Sequence, residues 1–321
     1  MRYTRRDFGR LALTSLPAAM LIDRPRVVLA GAAVKPNSAI NGVNIGAISY
    51  SYRTMPDQSA EAILRYIVDS GISQVEMMGT AVEAFAGAPQ PVGGGRRGAP
   101  TPEQQAAQRE TAEKLRTWRT SVSMDRFKQL RRMYNDAGVT IFAWKQLSPN
   151  MTDGEMEYVF NVAEALGATH TTLELLEDPV QLKRIGQMAE KKKIYAAYHT
   201  HEQGSMTVFD QAFAISKGNM ANVDLGHFVA AGGDPIAFLN SFHDRISSFH
   251  LKDRTTPAHG AKNVPWGAGD TPLKEILALV KKNRWKMPAS IEVEYEIPQG
   301  SDDVKEVAKC LDFCRAALAG A

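Results

Sequence analysis

Ser247-Ser248-Phe249-His250-Leu251-Lys252-Asp253 decides how this chain is read. Apolar and polar residues alternate, which suits a short strand, and the run ends in three polar groups. His250 and Lys252 are two apart, so on a strand they share one face. Earlier, Val223-Asp224-Leu225-Gly226-His227 is another short apolar run with a polar end. Before it comes Tyr195-Ala196-Ala197-Tyr198-His199-Thr200-His201-Glu202, and after it Ser290-Ile291-Glu292-Val293-Glu294-Tyr295-Glu296. Four successive strand candidates thus finish in His, Asp or Glu, the residue types that bind a divalent metal. The expectation is that these ends converge on one metal.

The rest of the chain is compatible with a single large α/β domain. It has 321 residues, 44% hydrophobic and 23% charged, enough for a sizeable core. Lys plus Arg is 38 against 35 for Asp plus Glu, a net charge of +3. That balance argues against a nucleic-acid surface. No apolar run reaches the ~18 residues of a membrane span. Thr4-Arg5-Arg6-Asp7-Phe8, followed by an apolar run over 11–22, reads as a twin-arginine export signal covering residues 1–32. It implies a periplasmic or otherwise exported protein with no stable membrane span once the signal is removed. The two cysteines, Cys310 and Cys314, lie four apart on one face of a predicted helix and read as small buried apolar groups.

Strands and helices alternate over residues 40–321, the predicted catalytic domain. Strands are expected at 43–49, 72–77, 139–144, 170–175, 194–198, 223–225, 246–251 and 289–295. Helices are expected at 57–70, 124–137, 153–166 and 302–318. Others begin at Asp178-Pro179, Asp234-Pro235 and Thr271-Pro272, and a further one covers 208–217. Residues 87–102, rich in Gly and Pro, read as a mobile insertion after the second strand, with a polar helix over 103–118 behind it. Eight strand-helix units predict a closed (β/α)8 TIM barrel. An open doubly wound sheet is the rival, but no Gly-x-Gly-x-x-Gly follows the first strand. In a barrel every strand's C-terminal end reaches one rim, where the active site lies and where the insertion is placed to act as a lid.

Each polar strand end has a bland reading beside its functional one. Asp224 suits a cation ligand, or a cap on the next turn. His227, three residues on and placed in a loop, suits substrate contact or support of a ligand. His250 is the sharpest signal. Lys252 and Asp253 read as substrate contacts or as a rim ion pair. Glu292, Glu294 and Glu296 share a face, which is unfavourable without a cation. Glu292 is the deepest and the expected ligand, Glu294 an alternative ligand or base, and Glu296 solvated. His199 and His201 share a face, one as ligand and the other as substrate donor. Glu174 is a further ligand or a proton-transfer group, and Glu76 and Lys145 are candidates for substrate contact. Trp144, Tyr198 and Trp266 offer flat faces to sugar rings, or are simple core.

With these residues in view, the chain resembles the xylose-isomerase-like barrel superfamily, and within it the sugar phosphate isomerase/epimerase group. The resemblance covers about 43–318. It rests on Tyr198-His199-Thr200-His201-Glu202, similar to a Tyr-His-Asn-His motif, on Asp224 with His227, on His250-Leu251-Lys252-Asp253, and on Ile291-Glu292-Val293-Glu294. It implies a divalent cation, Mn²⁺, Zn²⁺ or Mg²⁺, held by an acid on strand five, an Asp on strand six, a His on strand seven and a Glu on strand eight. Asp224, His250 and Glu292 match three of these. At the fourth, either His199 replaces the acid or Glu174 supplies it. The implied chemistry is isomerisation or epimerisation of a sugar or keto-sugar by proton abstraction next to a carbonyl, with Glu294, Glu174 or His199 as base. A lyase or hydrolase acting on 3-keto-glycosides uses the same start. The rivals are a non-catalytic periplasmic sugar-binding protein, and an apurinic/apyrimidinic endonuclease-like phosphodiesterase. The latter needs more ligands on the first three strands than Ser49, Met77 and Trp144 offer.

Overall fold

The computed structural model describes residues 35–90 and 101–320. The predicted export signal and the glycine-rich centre of the insertion, 91–100, with any lid role for it, lie outside the described residues. Eight strands follow one another round a ring: β1 (Val43–Ile48), β2 (Gln74–Met78), β3 (Thr140–Lys145), β4 (His170–Glu174), β5 (Tyr195–His199), β6 (Asn219–Asp224), β7 (Ile246–Leu251) and β8 (Ala289–Ile291). Each is parallel to its neighbours, and β1 closes the ring on β8 through Ile45↔Ala289 and Ala47↔Ile291. The predicted TIM barrel is the observed one. A two-residue strand, Ala39–Ile40, pairs antiparallel with β1.

The surrounding helices are α1 (Ala60–Asp69), α2 (Gly79–Ala86), α3 (Pro102–Ser121), α4 (Asp125–Asp136), α5 (Asp153–Leu166), α6 (Pro179–Lys192), α7 (Asp210–Ile215), α8 (Leu225–Ala230), α9 (Pro235–Phe242), α10 (Leu273–Asn283) and α11 (Asp303–Ala319). Their starts follow local chemistry. Thr152 and Glu155 form a capping box on α5, and Asp178 and Asp234 cap α6 and α9 ahead of a proline. The first helix starts at Ala60 rather than 57, because Ser59 Oγ takes the Ala62 N–H as cap.

Three expectations change near the site. The eighth strand ends at Ile291. Beyond it the chain leaves the ladder, and Val293 N–H donates to Ser51 Oγ instead. The helix expected over 208–217 shrinks to α7. His227 stands in a helix, α8, rather than a loop, because the Asp224 side chain caps that helix.

Outward-facing strand residues make the core. Phe249 and Leu251 are fully buried towards the helix layer, and truncating such a phenylalanine to alanine costs about 3–5 kcal/mol. Trp144 and Tyr198 belong to this layer too. Trp144 Nε1 donates to the Val159 carbonyl and Tyr198 Oη to Asn219 Oδ1, so neither offers a face to a sugar. Trp266 packs edge-on against Phe313 of α11. The inward faces are polar: Glu76, His170, Thr172, Asn222, Ser248, His250 and Ser290 are all fully buried.

Candidate metal centre

The parallel register carries the four strand ends to one level. Asp224 lies opposite His250 across β6 and β7, and His199 opposite Asn222 across β5 and β6. His199, Asp224, His250 and Glu292 each bring one ligand atom into a group whose members all lie within 4.8 Å of one another, and all four residues are buried. Among the described residues a second, half-exposed group, Glu174, His199 and His201, meets the same spacing. His199 belongs to both, and its ring lies 4.6 Å from that of His250 and 4.8 Å from that of His201.

Asp224 uses its two oxygens differently. Oδ1 accepts the His227 N–H at 2.8 Å and so caps α8. Oδ2 is buried and accepts no hydrogen bond; Lys252 Nζ stands 3.1 Å away without hydrogen-bonding geometry. The cap that the sequence offered beside the ligand reading is realised by Oδ1, and Oδ2 takes no part in it.

His250 is held from both sides. Its Nε2 lies 2.9 Å from Glu76 Oε2 and its Nδ1 3.0 Å from Glu292 Oε2. Burial alone would push its pKa down, but the carboxylates of Glu292 and Glu76 outweigh it and raise the imidazolium to about 10. Glu76 shows the converse balance. Burial would raise it, yet His250 and the Thr172 hydroxyl hold it down at about 2. Glu76 accepts from Thr172 Oγ1 at 2.6 Å and from Asn222 Nδ2 at 3.1 Å. Glu76, a candidate for substrate contact in the sequence, thus spends its oxygens on Thr172, Asn222 and His250. It is fully enclosed and orients His250 from below. Its partners Thr172 and Asn222 were overlooked in the sequence, although each stands two residues before a polar strand end, as Ser248 and Ser290 also do. That period of two was the available signal.

Burial, reinforced by the positive His250, holds His199 well below its usual pKa. Its Nδ1 faces the Asn222 carbonyl at 3.3 Å, which leaves Nε2 as the unprotonated nitrogen. Burial raises Asp224 to about 6, with Lys252 opposing and Glu292 adding to the rise.

Above this floor stand two glutamates, each with a lysine and a histidine. Glu174 pairs with Lys145 at 2.7 Å and with His201 Nδ1 at 3.2 Å. Glu294 pairs with Lys252 at 2.5 Å and faces His227 Nε2 at 3.7 Å. Glu296 is exposed. Lys252, expected to touch substrate, has only 3% of its side chain exposed and faces three carboxylates. Asp253 is spent on its own loop, accepting from the N–H groups of Gly267, Gly269 and Thr271. Arg254, not singled out in the sequence, hydrogen-bonds His227 Nδ1. Burial and the positive charges of Lys252 and Arg254 push His227 down to about 2.

A family model described as a xylose isomerase-like TIM barrel matches residues 180–315, which include β5 to β8 and all four buried ligand candidates. The match falls on the second half of the barrel. Inosose dehydratase of Clostridium beijerinckii (strain ATCC 51743 / NCIMB 8052) is 34% identical over 104 residues, 31% of this chain and 32% of that protein. The chain spans less than half the length of the curated relatives it matches. A solved sugar phosphate isomerase/epimerase from Parabacteroides distasonis ATCC 8503 is 17% identical, with a TM-score of 0.56 over 89% of this chain and 99% of that one. A probable 3-DHS dehydratase from Bacillus anthracis is 12% identical, with a TM-score of 0.58 over 84% of this chain and 98% of that one. At these identities the two structures speak for the fold alone.

Proposed function

We propose that this chain is a divalent-metal-dependent enzyme that removes a carbon-bound proton next to the carbonyl of a small polyhydroxylated substrate. The observation that carries the reading is the Asp224 oxygen. It is buried, accepts no hydrogen bond, and lies in a group of two imidazoles and two carboxylates. Such a donor set suits Mn²⁺, Zn²⁺ or Mg²⁺. His199, Asp224, His250 and Glu292 would hold the cation. Glu76 on the far nitrogen of His250 is the carboxylate–histidine pairing that fixes a ligand's tautomer. When bound, the cation supplies Lewis acidity that favours negative charge on a neighbouring carbonyl oxygen.

The chain's own residues would do the rest. Glu294, a fifth exposed beside the buried cluster, receives the proton. Glu174 stands with Lys145 and His201 as the second carboxylate at the mouth, placed to deliver a proton. His201 and His227 face substrate hydroxyls, and their rings lie 5.0 Å apart. Isomerisation and epimerisation return the proton to carbon, whereas dehydration loses a hydroxyl from the next carbon. The match to inosose dehydratase favours dehydration as the second reading. The N-terminal Thr4-Arg5-Arg6-Asp7-Phe8 supports export, which fits a free sugar or keto-sugar rather than a phosphorylated one.

The test is incubation of metal-loaded protein with keto-sugars, inososes and 3-keto-glycosides in heavy water. Deuterium entering the carbon beside the carbonyl is the expected result, and the product separates isomerase from lyase. Sugar binding without exchange, product or metal would instead favour a binding protein.

A further inference from the structure

Lys252 stands one residue past β7, on the inward face of that strand line with His250. Its stem reaches the centre through a gap made for it. At Gly226, the second residue of α8, an added Cβ would fall 2.2 Å from Lys252 Cγ and 2.7 Å from the Lys252 carbonyl oxygen. Any side chain there would push the lysine aside. The ammonium then lies 3.1 Å from Asp224 Oδ2, 2.8 Å from Glu292 Oε2 and 2.5 Å from Glu294 Oε2. Two of those carboxylates are the acidic members of the candidate metal cluster. The ammonium hydrogen-bonds Glu294 and stands within ion-pair distance of the other two carboxylates. No other lysine or arginine among the described residues pairs with Asp224 or Glu292.

We infer that Lys252 is a built-in cation that occupies the carboxylate side of the centre in the metal-free chain and opposes a divalent cation for the same oxygens. The inference rests on the metal reading above. Without a positive charge, three converging carboxylates repel one another inside a low-dielectric barrel. With Lys252 in place, one positive charge beside the His250 imidazolium offsets part of that repulsion before any metal arrives. On metal binding the ammonium gives up Asp224 and Glu292 and keeps Glu294. It thus sets the affinity of the centre as well as its metal-free stability.

The two effects have opposite signs, which makes the inference testable. Wild type, Lys252→Met and Lys252→Gln are stripped with a chelator and titrated with Mn²⁺ by calorimetry, and their melting is followed with and without Mn²⁺. The expected result is at least tenfold tighter Mn²⁺ binding in the variants, with a lower metal-free melting temperature. A lysine that only packs would lower both stability and affinity, and unchanged or weaker binding overturns the inference. If the variants fold only with metal, labelling of wild-type Lys252 by an amine reagent decides. Severalfold faster labelling with Mn²⁺ supports displacement, and an unchanged rate overturns it. Binding by the variants but not by wild type supports the inference while removing the metal reading of wild type. Binding by none removes both.

Discussion

Two lysine–glutamate pairs stand at the barrel mouth and illustrate how burial changes the meaning of one contact. Lys145 and Glu174 meet at 2.7 Å where β3 and β4 end, with a fifth of one side chain and half of the other exposed. Lys252 and Glu294 meet at 2.5 Å past β7 and β8, with the lysine almost wholly enclosed. An exposed pair contributes about 0–1 kcal/mol. Breaking a buried pair by deleting one partner costs about 3–5 kcal/mol, because the other charge stays behind unpaired. The rim pair can therefore exchange partners with a substrate at small cost, whereas the inner pair is part of the framework of the centre.

Several experiments would break or sharpen that contrast. The largest effect is expected from Asp224→Ala and His250→Ala, which should abolish Mn²⁺ binding and with it turnover, read by metal content and kcat/KM. Wild-type metal content in both would sink the centre. Next, Glu294→Gln should slow deuterium exchange by about 10²–10⁴, whereas Glu174→Gln slows exchange less and product formation more. The reverse order would exchange the roles of the two glutamates. Glu76→Gln should weaken metal binding by about 10–100-fold through His250, with the ligand set intact. Lys145→Met should change stability by no more than about 1 kcal/mol in thermal or urea unfolding.

The smallest effect concerns pH. Burial holds His170 neutral, at about 4 against an unfolded value near 6.5. Between these values the unfolded chain binds more protons. Stability from His170 is therefore full above about 6.5 and declines as pH falls towards 4. Replacing His170 with Gln, which retains a donor and an acceptor for Ser248 and Thr169, should flatten the acid limb of a stability–pH curve.

Much of this was legible in the chain. The strand–helix alternation, with its Asp-Pro helix starts, pointed to the barrel, and in that fold the strand ends share one rim. Asp224, His250 and Glu292 were conspicuous as charged or imidazole groups ending apolar strands, where burial without partners is costly. Other features were not legible. Thr172 read as an ordinary strand residue and Asn222 fell just before the expected sixth strand, until the ring closes and both reach Glu76. Glu76 looked like a rim group because nothing local reveals how deep β2 sits. Lys252 looked like a substrate contact, since its neighbours in space are 28, 40 and 42 residues away in sequence.

Alternation at a period of two is a local property, so the amino-acid order alone settled which side chains of each strand turn inward and which pack under the helices. The meeting of Asp224 with His250, of His250 with Glu76, and of Lys252 with three carboxylates depends on register and closure of the ring. Those are set by packing summed over all eight strands, and no single segment encodes them.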